Sequence, residues 1–149
     1  MTRSRIILLV EDNPDDVELA LLAFGRTEIP YDIIVATDGK EALDYLFATG
    51  VYAGRDPTHV PGVVLLDLKL PKLDGLGVLR RMRADSRTRR LPVVVLTSSN
   101  ERQDILESYQ LGANSFVQKP VNFNEFIEAA RQLASYWLVL NEPPTLTTG

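Results

Sequence analysis

The sequence contains no cysteine and a single histidine, His59. Without cysteine, the chain can form no disulfide and no zinc–thiolate site, and it has no thiolate for catalysis. One histidine is too few for a histidine-based metal cluster, and no Ser-His-Asp triad is expected. Proteins that depend on any of these groups are therefore excluded.

Long apolar runs and an excess of positive charge are also missing. No run could span a bilayer, and Ile6–Val10 is too short for a signal peptide, so we expect a cytoplasmic protein. The formal net charge of −4 argues against a general nucleic-acid binder. The length of 149 residues suits one globular domain, which we expect over residues 1–141, followed by a disordered tail over 142–149.

Short apolar runs alternate with amphipathic stretches along the chain. The runs predict five strands, at Ile6–Val10, Tyr31–Ala36, within Gly62–Pro71, at Val93–Leu96 and at Ser115–Val117. Five helical patterns follow them, the last beginning after Asn122 and continuing to about Leu140. This alternation predicts a doubly wound α/β fold with a five-stranded parallel sheet and right-handed crossovers.

Polar residues follow four of the predicted strands at the point where each strand ends. They are Glu11, Asp12, Asp67, Thr97 and Lys119. Because parallel strands bring these ends to one edge of the sheet, residues distant in sequence should meet there. Ligand binding in open parallel sheets also occurs at this edge.

The chemistry of this group favours a hard divalent cation and a phosphoryl group. Three crowded carboxylates raise one another's pKa unless a cation intervenes, and oxygen ligands without histidine or cysteine suit Mg²⁺. If Asp67 attacks a phosphorus atom, the product gains up to about two negative charges. Mg²⁺ and the Lys119 ammonium can hold the phosphoryl oxygens, and the Thr97 hydroxyl can donate to one of them.

The same motifs, in this order, resemble the receiver domain of two-component response regulators, of the single-domain kind exemplified by the chemotaxis regulator. The resemblance covers roughly Arg5 to Leu140 and rests on Val10-Glu11-Asp12-Asn13, Leu66-Asp67-Leu68, Pro71-Lys72-Leu73-Asp74-Gly75, Leu96-Thr97-Ser98-Ser99 and Lys119-Pro120. It implies the strand order 2-1-3-4-5 and a phosphorylation-dependent signalling protein that is not itself an enzyme. The implied phosphoryl donor is a sensor histidine kinase.

The resemblance also assigns roles to individual residues. Asp67 is the implied phosphoacceptor, and Glu11, Asp12, Asp67 and the Lys69 backbone carbonyl are the implied Mg²⁺ ligands. Thr97 and Lys119 are the implied phosphate contacts, with a cis peptide bond between Lys119 and Pro120. Phe116 matches the aromatic position that turns inward with Thr97 on activation.

Two further segments resemble regulators paired with phytochrome-type sensor kinases. They are the long loop Gly50–Pro61 and the run Asp67–Pro71. Lys69 departs from that subgroup, which often has Asn there, and this leaves the lifetime of the phosphoryl group open.

Two other functions fit parts of the pattern. A phosphatase of the haloacid-dehalogenase type also forms an aspartyl phosphate, but it needs a second Asp two residues after the nucleophile, where this chain has Lys69. A flavodoxin-like flavin binder needs a hydroxyl- and glycine-rich loop after the first strand, where this chain has Glu-Asp-Asn-Pro-Asp-Asp.

Several polar residues have simpler explanations. Asp15 and Asp16 suit the positive end of the first helix, and Ser99 or Asn100 should cap the fourth. The arginines between residues 80 and 90 are typical of a solvated face.

The last helix carries more apolar residues than one face can bury. Its inner stripe is predicted as Phe126, Ala130, Leu133, Trp137 and Leu140. Tyr136, Leu138 and Val139 should then point elsewhere, which predicts a partner surface that Ile105 and Tyr109 on the fourth helix would extend. We expect a homodimer through this face.

Overall fold

A computed structural model describes residues 4–144 as five strands and five α-helices in alternation. The strands are β1 (Ile6–Val10), β2 (Asp32–Ala36), β3 (Val63–Leu66), β4 (Val93–Thr97) and β5 (Ser115–Gln118). The helices are α1 (Pro14–Gly25), α2 (Gly39–Phe47), α3 (Gly75–Ala84), α4 (Arg102–Gln110) and α5 (Phe123–Ser135). All strand pairs are parallel and their order is β2-β1-β3-β4-β5, so the predicted fold and strand order are confirmed.

Two short segments lie outside this alternation. A 3₁₀ turn over Gly50–Tyr52 follows α2, and a π-helical segment over Tyr136–Leu140 continues α5. Within the predicted tail, residues 142–144 form neither helix nor strand, and residues 145–149 lie outside the described part of the chain. Between residues 4 and 144 the structure contains no helix of sufficient length and apolarity to cross a bilayer.

The core lies in two layers, one on each face of the sheet. Every residue of β3 and β4 is buried, which explains why these strands read as unbroken apolar runs. One cluster joins one face of the sheet to α2 and α3, and the other joins the opposite face to α1 and α5. The strand ends that carry the polar residues are thereby fixed by buried strands.

Side-chain caps start the helices close to those strand ends. Asn13 accepts hydrogen bonds from the backbone of Asp15 and Asp16 at the start of α1, and Asn122 caps α5 in the same way, as predicted. The predicted cap of α4 by Ser99 or Asn100 is wrong, because the N-cap residue is Glu101. Ser99 instead donates its hydroxyl to the Asp104 carboxylate and accepts from the backbone of Glu101.

Gly75 allows the loop after β3 to pack tightly against the end of that strand. A Cβ at Gly75 would lie 2.2 Å from the carbonyl oxygen of Asp67, a distance that no side chain tolerates. The Gly75 N–H donates to the Leu68 carbonyl oxygen at 2.8 Å. The start of α3 is thus held directly against the backbone of Asp67.

The predicted inner stripe of the last helix is correct for Phe126 and Ala130, which are buried, and for Leu133 and Trp137, which pack half-buried against the same cluster, but it is wrong for Leu140. The buried residues are Phe126, Ala130, Ala134 and Leu138, at a constant spacing of four. Leu138 is fully buried, whereas Leu140, predicted to face inward, is 67% exposed. Small alanines let α5 approach α1 closely, and the wider π-helical turn carries Leu138 round to the same side, beside Gly62.

Candidate functional site

The predicted polar residues do meet at the carboxyl end of the sheet. Glu11 and Asp67 follow β1 and β3, and both are buried, with 3% and 9% of their surface exposed. Thr97 is the last residue of β4 and is also buried. Backbone bonds extend the sheet to these positions, from the Asp67 N–H to the Val10 carbonyl oxygen and from the Lys119 N–H to that of Thr97.

Three carboxylates form a compact set of oxygen ligands. Glu11, Asp12 and Asp67 each offer an oxygen, and these oxygens all lie within 4.8 Å of one another. Asp12 is exposed at the mouth of the site, while Glu11 and Asp67 form its floor. The side chain of Lys69 is exposed, and coordination by its carbonyl stays a prediction.

The Lys119 ammonium lies among the acids of this site. Its Nζ donates to the Glu11 carboxylate, to Asp16 Oδ2 at 3.0 Å and to Asp67 Oδ2 at 3.3 Å. The predicted cis bond before Pro120 is wrong, because no peptide bond between residues 4 and 144 is cis. The trans form is favoured by about 0.5–1 kcal/mol at an X–Pro bond, and here it already directs the lysine to the acids.

Burial and nearby charges shift the pKa values of Glu11 and Lys119, the two partners of the central ion pair. Burial, reinforced by the nearby Asp67 charge, raises the pKa of Glu11 from its ordinary value of 4.5 to about 7, against the opposing effect of Lys119. Burial alone would lower the pKa of Lys119, but its bonds to Glu11 and Asp16 raise it above the ordinary value. The ammonium is therefore firmly charged, and a nearby cation favours the ionised form of the buried Glu11.

Asp16 is a site residue that the sequence interpretation missed. The sequence pattern explains both Asp15 and Asp16 by the helix dipole, but in the structure the side chain of Asp16 also contacts Lys119. The signal available in the sequence is its position in the first turn of α1, which begins just after β1 and therefore lies at the same end of the sheet.

The two predicted switch residues occupy neighbouring strands. The Thr97 hydroxyl accepts a bond from the Ser99 N–H at 3.3 Å, and Thr97 pairs with Gln118 across the sheet. Phe116 pairs with Val95 and packs, half-buried, against the cluster on the α2–α3 face. Their concerted movement stays a prediction.

The predicted interface residues divide into exposed and buried positions. Tyr109, Tyr136 and Val139 are 50%, 49% and 42% exposed, and Ile105 is half-buried. The prediction that Leu138 lies on this surface is wrong, because its side chain is fully buried in the core and cannot contact a partner. A groove of about 500 Å³ lies between β5 and α5 beside Tyr136 and Trp137. A larger groove of about 700 Å³ between α2 and α3 contains none of the predicted site residues.

Comparison with known proteins gives the same family throughout. The family model for the response regulator receiver domain matches residues 7–131. Response regulator Rcp1 of Synechocystis sp. is 34% identical over 134 residues, which cover 90% of this chain and 89% of Rcp1. The solved structure of its Mn²⁺-bound form has a TM-score of 0.85 and 33% identity, covering 95% of this chain and 99% of that chain.

Two other solved structures are similar over nearly their whole length. The phosphorylated cyanobacterial phytochrome response regulator RcpA has a TM-score of 0.87 and 35% identity, covering 95% of this chain and 99% of its own. The bacteriophytochrome response regulator AtBRR has a TM-score of 0.75 and 53% identity, covering 95% of this chain and 100% of its own. With the acidic strand ends and the buried lysine, these matches show that the chain belongs to the response regulator receiver domain family.

Proposed function

We propose that Asp67 is the phosphoacceptor of this receiver domain and that its donor is the phosphohistidine of a sensor histidine kinase. The observation that carries this proposal is the position of Asp67: a buried carboxylate at the end of β3, next to Glu11 and within hydrogen-bond distance of Lys119. Receiver-domain response regulators are generally signalling proteins, and the absence of an enzymatic activity in this chain stays a prediction.

The two oxygens of Asp67 have different surroundings, and this difference suits a reaction in which one of them attacks the phosphorus atom. Oδ1 accepts a hydrogen bond from the Leu68 N–H at 2.7 Å, while Oδ2 faces the Lys119 ammonium. In the transfer, a carboxylate oxygen forms the new O–P bond as the N–P bond of phosphohistidine breaks. The imidazole nitrogen keeps that electron pair and takes a proton. Lys119 and the Thr97 hydroxyl then donate to the phosphoryl oxygens.

The acidic set fits a resident Mg²⁺ ion. Glu11, Asp12 and Asp67 supply only oxygen, the ligand type that this hard ion prefers, and the Lys69 carbonyl would add a neutral oxygen. When bound, the ion would offset the negative charge that builds up during transfer. The Mn²⁺-bound form of the related Rcp1 supports a divalent ion in this family.

The relatives favour a phytochrome-type kinase as the partner. RcpA and AtBRR are both named as response regulators of phytochromes, and both are similar over 95% of this chain. Action in the cytoplasm, without direct binding to nucleic acid or membrane, stays a prediction. No observation favours the phosphatase alternative, because Lys69 occupies the position of its general acid.

We further propose that output runs through Thr97 and Phe116 to a homodimer surface on α4, β5 and the end of α5. The exposed Tyr109, Tyr136 and Val139 support this surface. Fully burying an exposed apolar side chain contributes roughly 1.5–3 kcal/mol, so these side chains, which are about half exposed, would each gain about half of that, and a symmetric contact would gain from several of them.

Intact mass after incubation with a small phosphodonor tests the acceptor. The wild type should gain one phosphoryl group with Mg²⁺ and none with EDTA, and Asp67→Asn should gain none under either condition. Asp15→Asn, a matched exposed change on α1, should behave as the wild type. An undiminished mass gain in Asp67→Asn would refute the assignment.

A further inference from the structure

Asp16 holds the Lys119 ammonium from outside the acidic set. Its Oδ2 lies 3.0 Å from Nζ, and its side chain is 37% exposed, whereas those of Glu11 and Asp67 are 4% and 11% exposed. Asp16 does not belong to the set of carboxylates that converge within 4.8 Å. The ammonium therefore bridges two prospective metal ligands and one carboxylate that is not a prospective ligand.

The backbone fixes Asp16 in this position. Its N–H donates to the side-chain oxygen of the cap residue Asn13 at 3.2 Å, in the first turn of α1. Asn13 in turn donates its own N–H to the Glu11 carboxylate at 3.2 Å. These bonds fix the backbone of this short segment at a place from which the Asp16 carboxylate reaches Nζ of Lys119.

The ammonium and a divalent ion compete for the same two carboxylates. Lys119 donates to Glu11 and Asp67, both of which a bound ion would need. An ammonium displaced from them would be left buried and partly unpaired unless another anion accepted it, and that cost would weaken ion binding. Asp16 already contacts Nζ and is the remaining acceptor.

We propose that Asp16 is a positioning residue that holds the Lys119 ammonium when Glu11 and Asp67 turn to a divalent ion. This inference rests on the proposed metal site and adds a determinant that is not a ligand. Asp16 acts only through Lys119, so its contribution to ion binding disappears when the lysine is replaced.

Asp15 provides a matched control for this role. It is the neighbouring residue in the same turn, carries the same charge and also donates its N–H to Asn13, but its side chain is exposed and is not among the acids bound to Lys119. Replacing either Asp by Asn removes one negative charge near the site, and only Asp16→Asn also replaces the charged acceptor of the ammonium by a neutral amide oxygen, which accepts more weakly.

Calorimetric titration of the full chain with MgCl₂ tests the proposal. We expect Asp16→Asn to weaken Mg²⁺ binding about fivefold or more, the scale of a typical coupling between two sites, and Asp15→Asn to change it less than about twofold. In a Lys119→Met background, adding Asp16→Asn should have no more effect than adding Asp15→Asn.

Three other results of this titration would contradict the proposal, each for a different reason. Equal losses in Asp16→Asn and Asp15→Asn would overturn the positioning role and leave the proposed metal site intact. A full Asp16→Asn effect without Lys119 would also overturn it, since the carboxylate would then act directly on the ion. An absence of Mg²⁺ binding by the wild type would overturn the proposed metal site, and the positioning role with it.

Discussion

Replacement of Glu11 by Gln should stabilise the metal-free protein at alkaline pH. Glu11 is buried with a pKa of about 7, above its ordinary value of 4.5, so the folded state binds this proton more tightly than the unfolded state does. The stability that the protonated group contributes is present in full below about pH 4.5 and is lost as the pH rises through about 7.

The magnitude follows from the same two values. The difference between 4.5 and about 7 corresponds to about 3 kcal/mol at about 1.4 kcal/mol per pH unit. This difference already contains the effect of Lys119 on the Glu11 carboxylate. Gln keeps one oxygen acceptor, but its NH₂ group cannot accept the bond that the second Glu11 oxygen receives from the Asn13 N–H, so a gain of about 1–2 kcal/mol in the free energy of unfolding should remain at pH 8.

Urea unfolding in EDTA, followed through Trp137 fluorescence, measures this gain. It should shrink between pH 8 and pH 5, and it should also shrink when Mg²⁺ is added at pH 8, because the ion stabilises only the wild type strongly. Glu18→Gln, an exposed change on α1, should show no such dependence. If Glu11→Gln is less stable than the wild type at pH 8, the ion pair with Lys119 outweighs the cost of burial and the reasoning fails.

Three further predictions concern other parts of the molecule. The half-buried Arg83 donates to the carbonyl oxygens of Gly112 and Leu91, so Arg83→Met should lower the free energy of unfolding by about 2–4 kcal/mol. In the same urea assay, the control Arg81→Met at an exposed position should lower it by about 0.5 kcal/mol or less. Thr97→Ala should still gain a phosphoryl group by intact mass but lose any change in self-association, and a retained change would mean that coupling bypasses the hydroxyl. Tyr136→Asp should abolish dimers in sedimentation velocity while the exposed Leu22→Asp on α1 does not, and equal behaviour of the two variants would assign the Tyr136 face to another partner or to none.

The fold and the centre of the site were predictable because the central strands β1, β3 and β4 are buried on both faces. A run such as Val63–Leu66 leaves little choice of structure, and the polar residue that ends it must lie at the sheet edge. Parallel order then brings Glu11, Asp67 and Thr97 together without any knowledge of the loops.

Three features depended on contacts that the sequence does not specify. The five consecutive apolar residues 136–140 fit several helix phases, and the close packing of Ala130 and Ala134 selects the one that buries Leu138. The trans bond before Pro120 differs from the cis form by only about 0.5–1 kcal/mol, too little for local sequence to decide. Asp16 acquires its role from a lysine 103 residues away.

The most direct test of the account is to identify the residue that carries the phosphoryl group. Borohydride reduces an aspartyl phosphate to homoserine, so peptide mass spectrometry of the protein treated with phosphodonor and Mg²⁺ can locate the acceptor. We expect homoserine at position 67 in the presence of Mg²⁺ and none when EDTA is added. Homoserine at position 12 instead, with position 67 unmodified, would contradict this expectation.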